Sequence, residues 1–384
     1  MAYSARTSGI ALNLLKRDYI IREPLLVSLL VLLTIVFSAL THAYTAAYDR
    51  RRVALGQEWY AKGKQELNNN RPATAVDDFR TALLYDPRNW DFSTHLADAL
   101  MQAGHDDQAI NYYLGLWQRS PGNGAVNLQL ARLSARKSDT ASAERYFNGA
   151  IFGDWPQDSA TNRRAATLEL INFYLERGDP EHAESELMIV SDNLPEDPHL
   201  HNQVAGLYGR VGDEPRALAQ YRQVLRLEAK NLPALLGASE ASFRTGDYRA
   251  AEEYLTRALH VDDSNASAKN LLEVVQSAHA LNPYERGISE AEKIKRTLLL
   301  FDIAGKRLQS CESGASSIPP YLERWKQLRS MANAHFLKQH PEETETLMDF
   351  CVSSEKLAES QCGERTPNDA ALLAIAHQRE MEAR

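Results

Sequence analysis

Residues 59–87 read WYAKGKQELNNNRPATAVDDFRTALLYDP. Trp59, Gly63, Ala75, Phe79, Ala82 and Pro87 stand at offsets that the chain then repeats. Ala109, Tyr113, Leu116 and Pro121 follow one 34-residue period later, and Pro87 to Pro121 is itself one period. Small and aromatic residues one turn apart suit a helix face packed closely against another helix. The polar stretch Asn68–Arg71 breaks the pattern into two helical halves. A period of this length, in units too short to hide their own apolar faces, signals stacked helical hairpins.

Carried forward, the period gives six units over residues 56–265, of which Gly56–Asn89 and Trp90–Asn123 are the first two. The third begins at Gly124, carries Ala143, Phe147 and Ala150, and leaves the pattern at Phe152–Pro156. About six extra residues precede the fourth, which holds Tyr174, Gly178, Ala183, Leu187 and Pro195. The fifth and sixth begin near Pro198 and Leu232. In the later units Gly178-Asp179, Gly212-Asp213 and Gly246-Asp247 mark the inner turn: glycine ends one helix in the left-handed conformation and aspartate caps the next. Trp155-Pro156 in the extra stretch is read as a longer connection with Trp155 tucked beneath it; the alternative is a projecting functional loop.

This pattern resembles the tetratricopeptide repeat (TPR) family. The resemblance implies an all-α helix-turn-helix solenoid in which the first helix of each unit lines a concave surface for a protein or peptide partner. On that mapping the lining residues are Tyr60, Lys64, Thr94, Asp98, Leu128, Arg132, Leu168, Asn172, Asn202, Leu236 and Glu240. The lysine and asparagine one turn apart that clamp a C-terminal carboxylate in some family members are missing, since Leu168 precedes Asn172 and Tyr60 precedes Lys64. Arg136, Arg210 and Arg244 occupy equivalent places near the ends of first helices, with Glu176 interrupting the series. A ladder of forked donors for acidic peptide groups is one reading. The simpler one is a set of cations at helix C-termini, complementing the macrodipole and standing in water.

Ahead of the repeats, no Asp, Glu, Lys or Arg occurs between Glu23 and Asp49. As a helix, Pro24–Tyr48 spans roughly 37 Å, more than a hydrocarbon core of about 30 Å. Residues 25–48 are therefore expected to form one transmembrane helix, with Tyr19, Tyr44 and Tyr48 near its ends. A cleaved signal peptide fits less well, because the apolar run is long and Thr41-His42-Ala43 is a poor cleavage site. Residues 1–24 form a basic flank and 49–55 a juxtamembrane linker. Lys16, Arg17 and Arg22 before the span balance Arg50, Arg51 and Arg52 after it, so charge does not set orientation.

Residues 266–384 open with a helix resembling the first half of a seventh unit, Ala266–Leu281. A capping box at Ser289–Glu292 starts a second helix, and three more are expected near 321–339, 342–361 and 368–382, beyond a Ser313–Pro320 linker. They lack the 34-residue pattern and suit a cap on the array. All three cysteines lie here. A Cys311–Cys362 bridge would close a loop of about 50 residues, be worth roughly 4 kcal/mol and require an oxidising compartment; three reduced thiols are the alternative. Cys351 is expected in the core. The bridge favours a bacterial inner-membrane protein with its repeats in the periplasm.

The net charge of −8, from 43 basic and 51 acidic side chains, opposes nucleic-acid binding as the main task. With 44% apolar residues the chain is globular. It contains no P-loop, dinucleotide fingerprint, nucleophile elbow or zincin motif. His199 and His201 are spaced by two, which turns their rings apart on a helix. No enzyme activity, cofactor or metal is expected. The resemblance extends to bacterial single-span proteins whose TPR domains assist assembly of envelope complexes, secretion apparatus or cytochrome maturation; a permanent subunit of a larger membrane complex is the alternative.

Overall fold

The computed structural model describes residues 7–311, 317–362 and 366–382, with 7–25 and 380–382 by backbone alone. The expected flank side chains Lys16, Arg17, Tyr19 and Arg22, linker residues 313–316 and turn residues 363–365 lie outside that description. Among the described residues the chain forms eighteen α-helices and no strand; Asn123 and Asp154 make an isolated bridge. It divides into two compact units, one ending at Ala166 and the other beginning at Thr167.

The first unit holds α1 (Thr7–Asn68), α2 (Pro72–Tyr85), α3 (Trp90–Gln102), α4 (Asp106–Arg119), α5 (Gly124–Arg136), α6 (Thr140–Ile151) and the start of α7 (Ser159–Glu176). α1 is continuous, so residues 49–55, expected as a linker, are helical, and the helix that carries the apolar stretch ends as the first helix of the first repeat. Nothing in Asp49–Leu55 is a proline or glycine, so nothing interrupts the hydrogen-bond ladder. Hairpin partners pack through the repeat residues: Ala75, Phe79, Ala82, Ala109, Tyr113, Ala143 and Ala150 are wholly buried. The extra stretch folds against the preceding turn. Gly124 N–H donates to Asp154 O (3.0 Å), Asp154 N–H donates to Gly122 O (2.7 Å), and Trp155 Nε1 donates to Ala150 O (2.9 Å). Trp155 lies over Gly124, where any Cβ would come within 2.3 Å of its ring nitrogen.

The second unit continues with α8 (Pro180–Ser191), α9 (Pro198–Val211), α10 (Glu214–Leu227), α11 (Leu232–Arg244), α12 (Tyr248–Val261) and α13 (Ala266–Leu281). Then come α14 (Glu290–Cys311), α15 (Ile318–Leu328), α16 (Ala334–Gln339), α17 (Glu342–Gln361) and α18 (Pro367–Glu382). The helix expected over 321–339 is two helices. It starts earlier, because Pro319 and Pro320 fit the first turn, and it breaks at Arg329–Asn333, where Asn333 caps α16 by accepting from Phe336 N–H (2.8 Å). One hydrophobic core runs from Tyr248, Ala251 and Leu255 of the last repeat through Ala268 and Val275 to Leu300, Leu347 and Ile375 of the tail.

Turn chemistry keeps the period. The inner turns pass through left-handed backbone at Asn70, Gly104, Ser138, Gly178, Gly212 and Gly246. Successive members are one period apart except Ser138 to Gly178, which carries the six added residues. Asp139, Asp179, Asp213 and Asp247 each cap the following helix. Asn89, Asn123, Asn231 and Asn265 cap first helices, accepting from the N–H three residues on. Side-chain caps of this kind contribute about 1 kcal/mol each.

Candidate functional site

In the first unit, two of the expected lining residues, Tyr60 and Lys64, meet Phe92 and His95, which the sequence reading did not single out, in an aromatic and polar cluster. Tyr60 stacks on Phe92 (ring centroids 4.8 Å apart), meets His95 edge-on (5.2 Å), and shares a hydrogen bond with His95 Nδ1 (3.3 Å). Lys64 Nζ lies 5.0 Å from the Tyr60 ring centroid, a cation over the negative ring face. Burial first, then the Asp91 carboxylate, push the Tyr60 hydroxyl above its ordinary pKa, so it remains a neutral hydrogen-bonding group. Thr94 donates to Trp90 O within its own helix. Asp98 accepts a hydrogen bond from Tyr113 and is half-buried. Arg132 donates to Gln129 Oε1 (3.3 Å). Leu128 is 8% exposed and belongs to the core, because this position turns into the hairpin interface.

The arginine series resolves through the neighbouring hairpin. Arg136 Nη1 lies 3.3 Å from Asp106 Oδ1, and Arg244 Nη1 donates to Glu214 Oε1 (2.9 Å) and Nη2 to Glu240 Oε1 (2.5 Å). Asp106 and Glu214 are the first residues of α4 and α10, equivalent places in their repeats. At the corresponding start of α8 stands Pro180, which offers no carboxylate. Arg210 therefore reaches elsewhere and donates to Asn172 Oδ1 (2.7 Å), while Asn172 Nδ2 donates to Leu168 O (2.9 Å). Among the described residues Arg210 has no carboxylate within ion-pair distance. Arg136 and Arg244 are thus not cations standing free in water, and the three do not form a ladder of equal, open donors.

Elsewhere in the second unit, Leu168 is 5% exposed and buried beneath this face. Asn202 Nδ2 donates to Asn231 Oδ1 (3.1 Å), and Leu236 is half-buried. His201 turns inward to Gln220 (2.6 Å) while His199 stays exposed. No group of metal-ligating side chains occurs among the described residues. A polar cavity of about 360 Å³, which sequence reasoning did not anticipate, lies among Gly246, Tyr248, His279, Asn282, Tyr284 and Gln378. His279 there faces Glu252 and Glu285 (both 3.3 Å), and Arg296 donates to Glu285 (2.5 Å). Its residues come from three helices and two connecting turns and share no sequence motif, so only folding reveals it.

Cys311 and Cys362 form a disulfide whose Cα atoms are 5.5 Å apart. It joins the ends of α14 and α17 across a sequence separation of 51. Cys351 is a free thiol with no exposure, and burial raises its pKa well above the ordinary thiol range. α1 carries the apolar stretch, long enough to cross a membrane, whose described large side chains from Leu26 to Tyr48 are exposed.

Hairpins capped by Asn and Asp, packed through Ala and aromatic residues and showing polar first-helix faces, define a helical-repeat protein of the kind that makes protein contacts. Tetratricopeptide repeat models match residues 60–124 and 211–274. The chain therefore contains tetratricopeptide repeats in both stretches. Among solved structures it is similar to PilF of Pseudomonas aeruginosa (16% identity, 57% of this chain and 97% of that one, TM-score 0.41). It is also similar to PilW, described as a widely conserved type IV pilus biogenesis factor (18%, 57% and 98%, TM-score 0.42). A third is the C-terminal part of a TPR protein from Cytophaga hutchinsonii (13%, 62% and 92%, TM-score 0.47). No curated protein matches the chain.

Proposed function

We propose that this protein is a single-span membrane scaffold that binds protein or peptide partners through its first-helix faces and serves in assembly of a cell-envelope complex, without catalysis of its own. The observation that carries the reading is α1, one helix whose described large apolar side chains from Leu26 to Tyr48 are exposed and which becomes a packed repeat helix at Gly56. An exposed apolar rod of this length is stable in a bilayer and costly in water. In this reading residues 25–48 span the inner membrane, 56–265 form the six-unit array, and 266–384 close it. The Cys311–Cys362 bridge favours a periplasmic array, since disulfides persist in oxidising compartments.

Partner contact falls to Tyr60, Lys64 and Arg132 in the first unit and to Asn172 and Arg210 in the second. Arg210 is the strongest donor, because its guanidinium has only a neutral partner and can take a carboxylate with bidentate geometry. Arg136 and Arg244 contribute less, being already ion-paired. Crosslinking and mass spectrometry on native membranes test the proposal. Recovery of this chain in the membrane pellet after alkaline extraction, with several substoichiometric partners crosslinked at Tyr60 or Arg210, is expected. A soluble chain refutes the anchor. One fixed stoichiometric partner set makes the protein a permanent subunit instead.

A further inference from the structure

α1 and α2 run antiparallel, with Gly63 against Phe79 and Gly56 against Tyr85 and Phe92. The end of α2 and the turn that follows it therefore lie level with Gly56, on the side of the repeat from which the apolar part of α1 emerges. Because first helices begin and second helices end on this side, it is one continuous edge of the first three repeats. Two large apolar side chains stand almost fully exposed on it: Leu84 (79%) near the end of α2 and Phe152 (80%) just after α6. They occupy equivalent repeat positions, two periods apart, and Phe152 opens the inserted stretch that docks on Gly122–Gly124. On the opposite edge, the inner turns at Asn70, Gly104 and Ser138 are polar.

Distances favour a lipid occupant for this edge. From Tyr48 to Gly56 the helix rises about 12 Å. The headgroup layer on each side of a bilayer is about 5–8 Å deep. Pro24–Tyr48, at roughly 37 Å, is longer than the hydrocarbon core, and such a helix accommodates by tilting. Helices packed about 8–10 Å apart carry the third repeat some 20–30 Å sideways from α1. A tilt of about 20° toward the array lowers that repeat by on the order of 9 Å, into the headgroups. Arg50, Arg51 and Arg52, all exposed, occupy the intervening turn, where cations meet lipid phosphates.

We propose that the edge bearing Leu84 and Phe152 rests on the same bilayer that α1 crosses, so that the first three repeats lie against the membrane and the opposite edge faces outward. This deepens the anchored-scaffold reading and rests on it. It limits the partners of the first unit to segments that approach close to the lipid surface.

The test places a photo-crosslinking phenylalanine analogue singly at Leu33, Leu84, Phe152 and Gln102 in the full chain, in nanodiscs of phosphatidylcholine and phosphatidylglycerol. Gln102 is exposed at the far end of α3. Lipid adducts at Leu33, Leu84 and Phe152, with none at Gln102, are the expected result. Adducts at Leu33 without adducts at Leu84 and Phe152 overturn the resting edge and leave the anchor standing. Equal adducts at Gln102 overturn it as well, by showing unspecific contact. No adduct at Leu33 removes the anchor and with it this inference.

Discussion

Gly63→Ala sets two effects of similar size against each other. In a helix interior, alanine is better than glycine by about 1 kcal/mol. At Gly63, however, a Cβ would lie 2.6, 2.7 and 2.9 Å from three atoms of the Phe79 ring. Phe79 has no exposure and is closed in by Tyr60 and His95, with ring centroids 5.7 and 5.9 Å away. The ring cannot swing into solvent, so α1 and α2 must separate, and overpacking of this kind costs about 1–3 kcal/mol. With the ring unable to move aside the contact wins, and a net loss of about 1 kcal/mol, up to about 2, is expected. Since two compact units need not unfold together, a global midpoint is a poor readout. Hydrogen exchange of the α2 amides reports the local opening, and their protection should fall about tenfold for each 1.4 kcal/mol lost. Phe79→Leu makes room for the methyl group, so Gly63→Ala in that background should be neutral or stabilising. Unchanged or greater α2 protection in the single variant, or equal losses in both backgrounds, refutes the close packing claimed between these helices.

Reduction of the Cys311–Cys362 bridge should destabilise the tail by roughly 4 kcal/mol on the chain-entropy account of a loop this long; denaturant unfolding with and without reductant measures it, and a non-reducing peptide map of native material finding three free thiols removes the bridge. Cys351 should resist alkylation in the folded protein and react after unfolding, because burial both hides the thiol and disfavours its thiolate. Glu285 should give the second unit an acid-sensitive contact. Burial raises its pKa, but the Arg296 hydrogen bond and charge, helped by His279, bring it below the ordinary value of 4.5. Its stabilisation is present above that value and fades as pH falls through the depressed one, so Glu285→Gln should flatten the acid limb of stability followed by circular dichroism. Arg210→Ala should weaken binding of acidic peptide partners more than Arg136→Ala does, measured by fluorescence anisotropy, since Arg136 is already paired with Asp106.

Much of the fold was legible because each repeat writes its own instructions locally. Gly-Asp at the inner turns fixes a helix end and the next helix start, and the Ala and aromatic positions identify the packed face. The tail was less legible. Its helices obey no period, so the break at Arg329–Asn333 had to be found among ordinary helix formers, and only the Asn333 cap marks it. The candidate face was legible by position but not by partner. Nothing in the sequence near Arg210 says that Arg136 and Arg244 are ion-paired while it meets the neutral Asn172. That difference arises because Pro180 stands where Asp106 and Glu214 stand in other units, a contact thirty residues away.

By itself the sequence determined an all-helical repeat array, the place of its inner turns, and an apolar segment ahead of it, since period, capping and hydropathy act over a few residues. The tertiary structure alone decided that α1 passes unbroken from that segment into the first repeat, which arginines are paired, and that Leu128 and Leu168 are interior. It also decided that Leu84 and Phe152 share one edge. These depend on which faces of distant segments meet, and a chain specifies such meetings only through the sum of its packing.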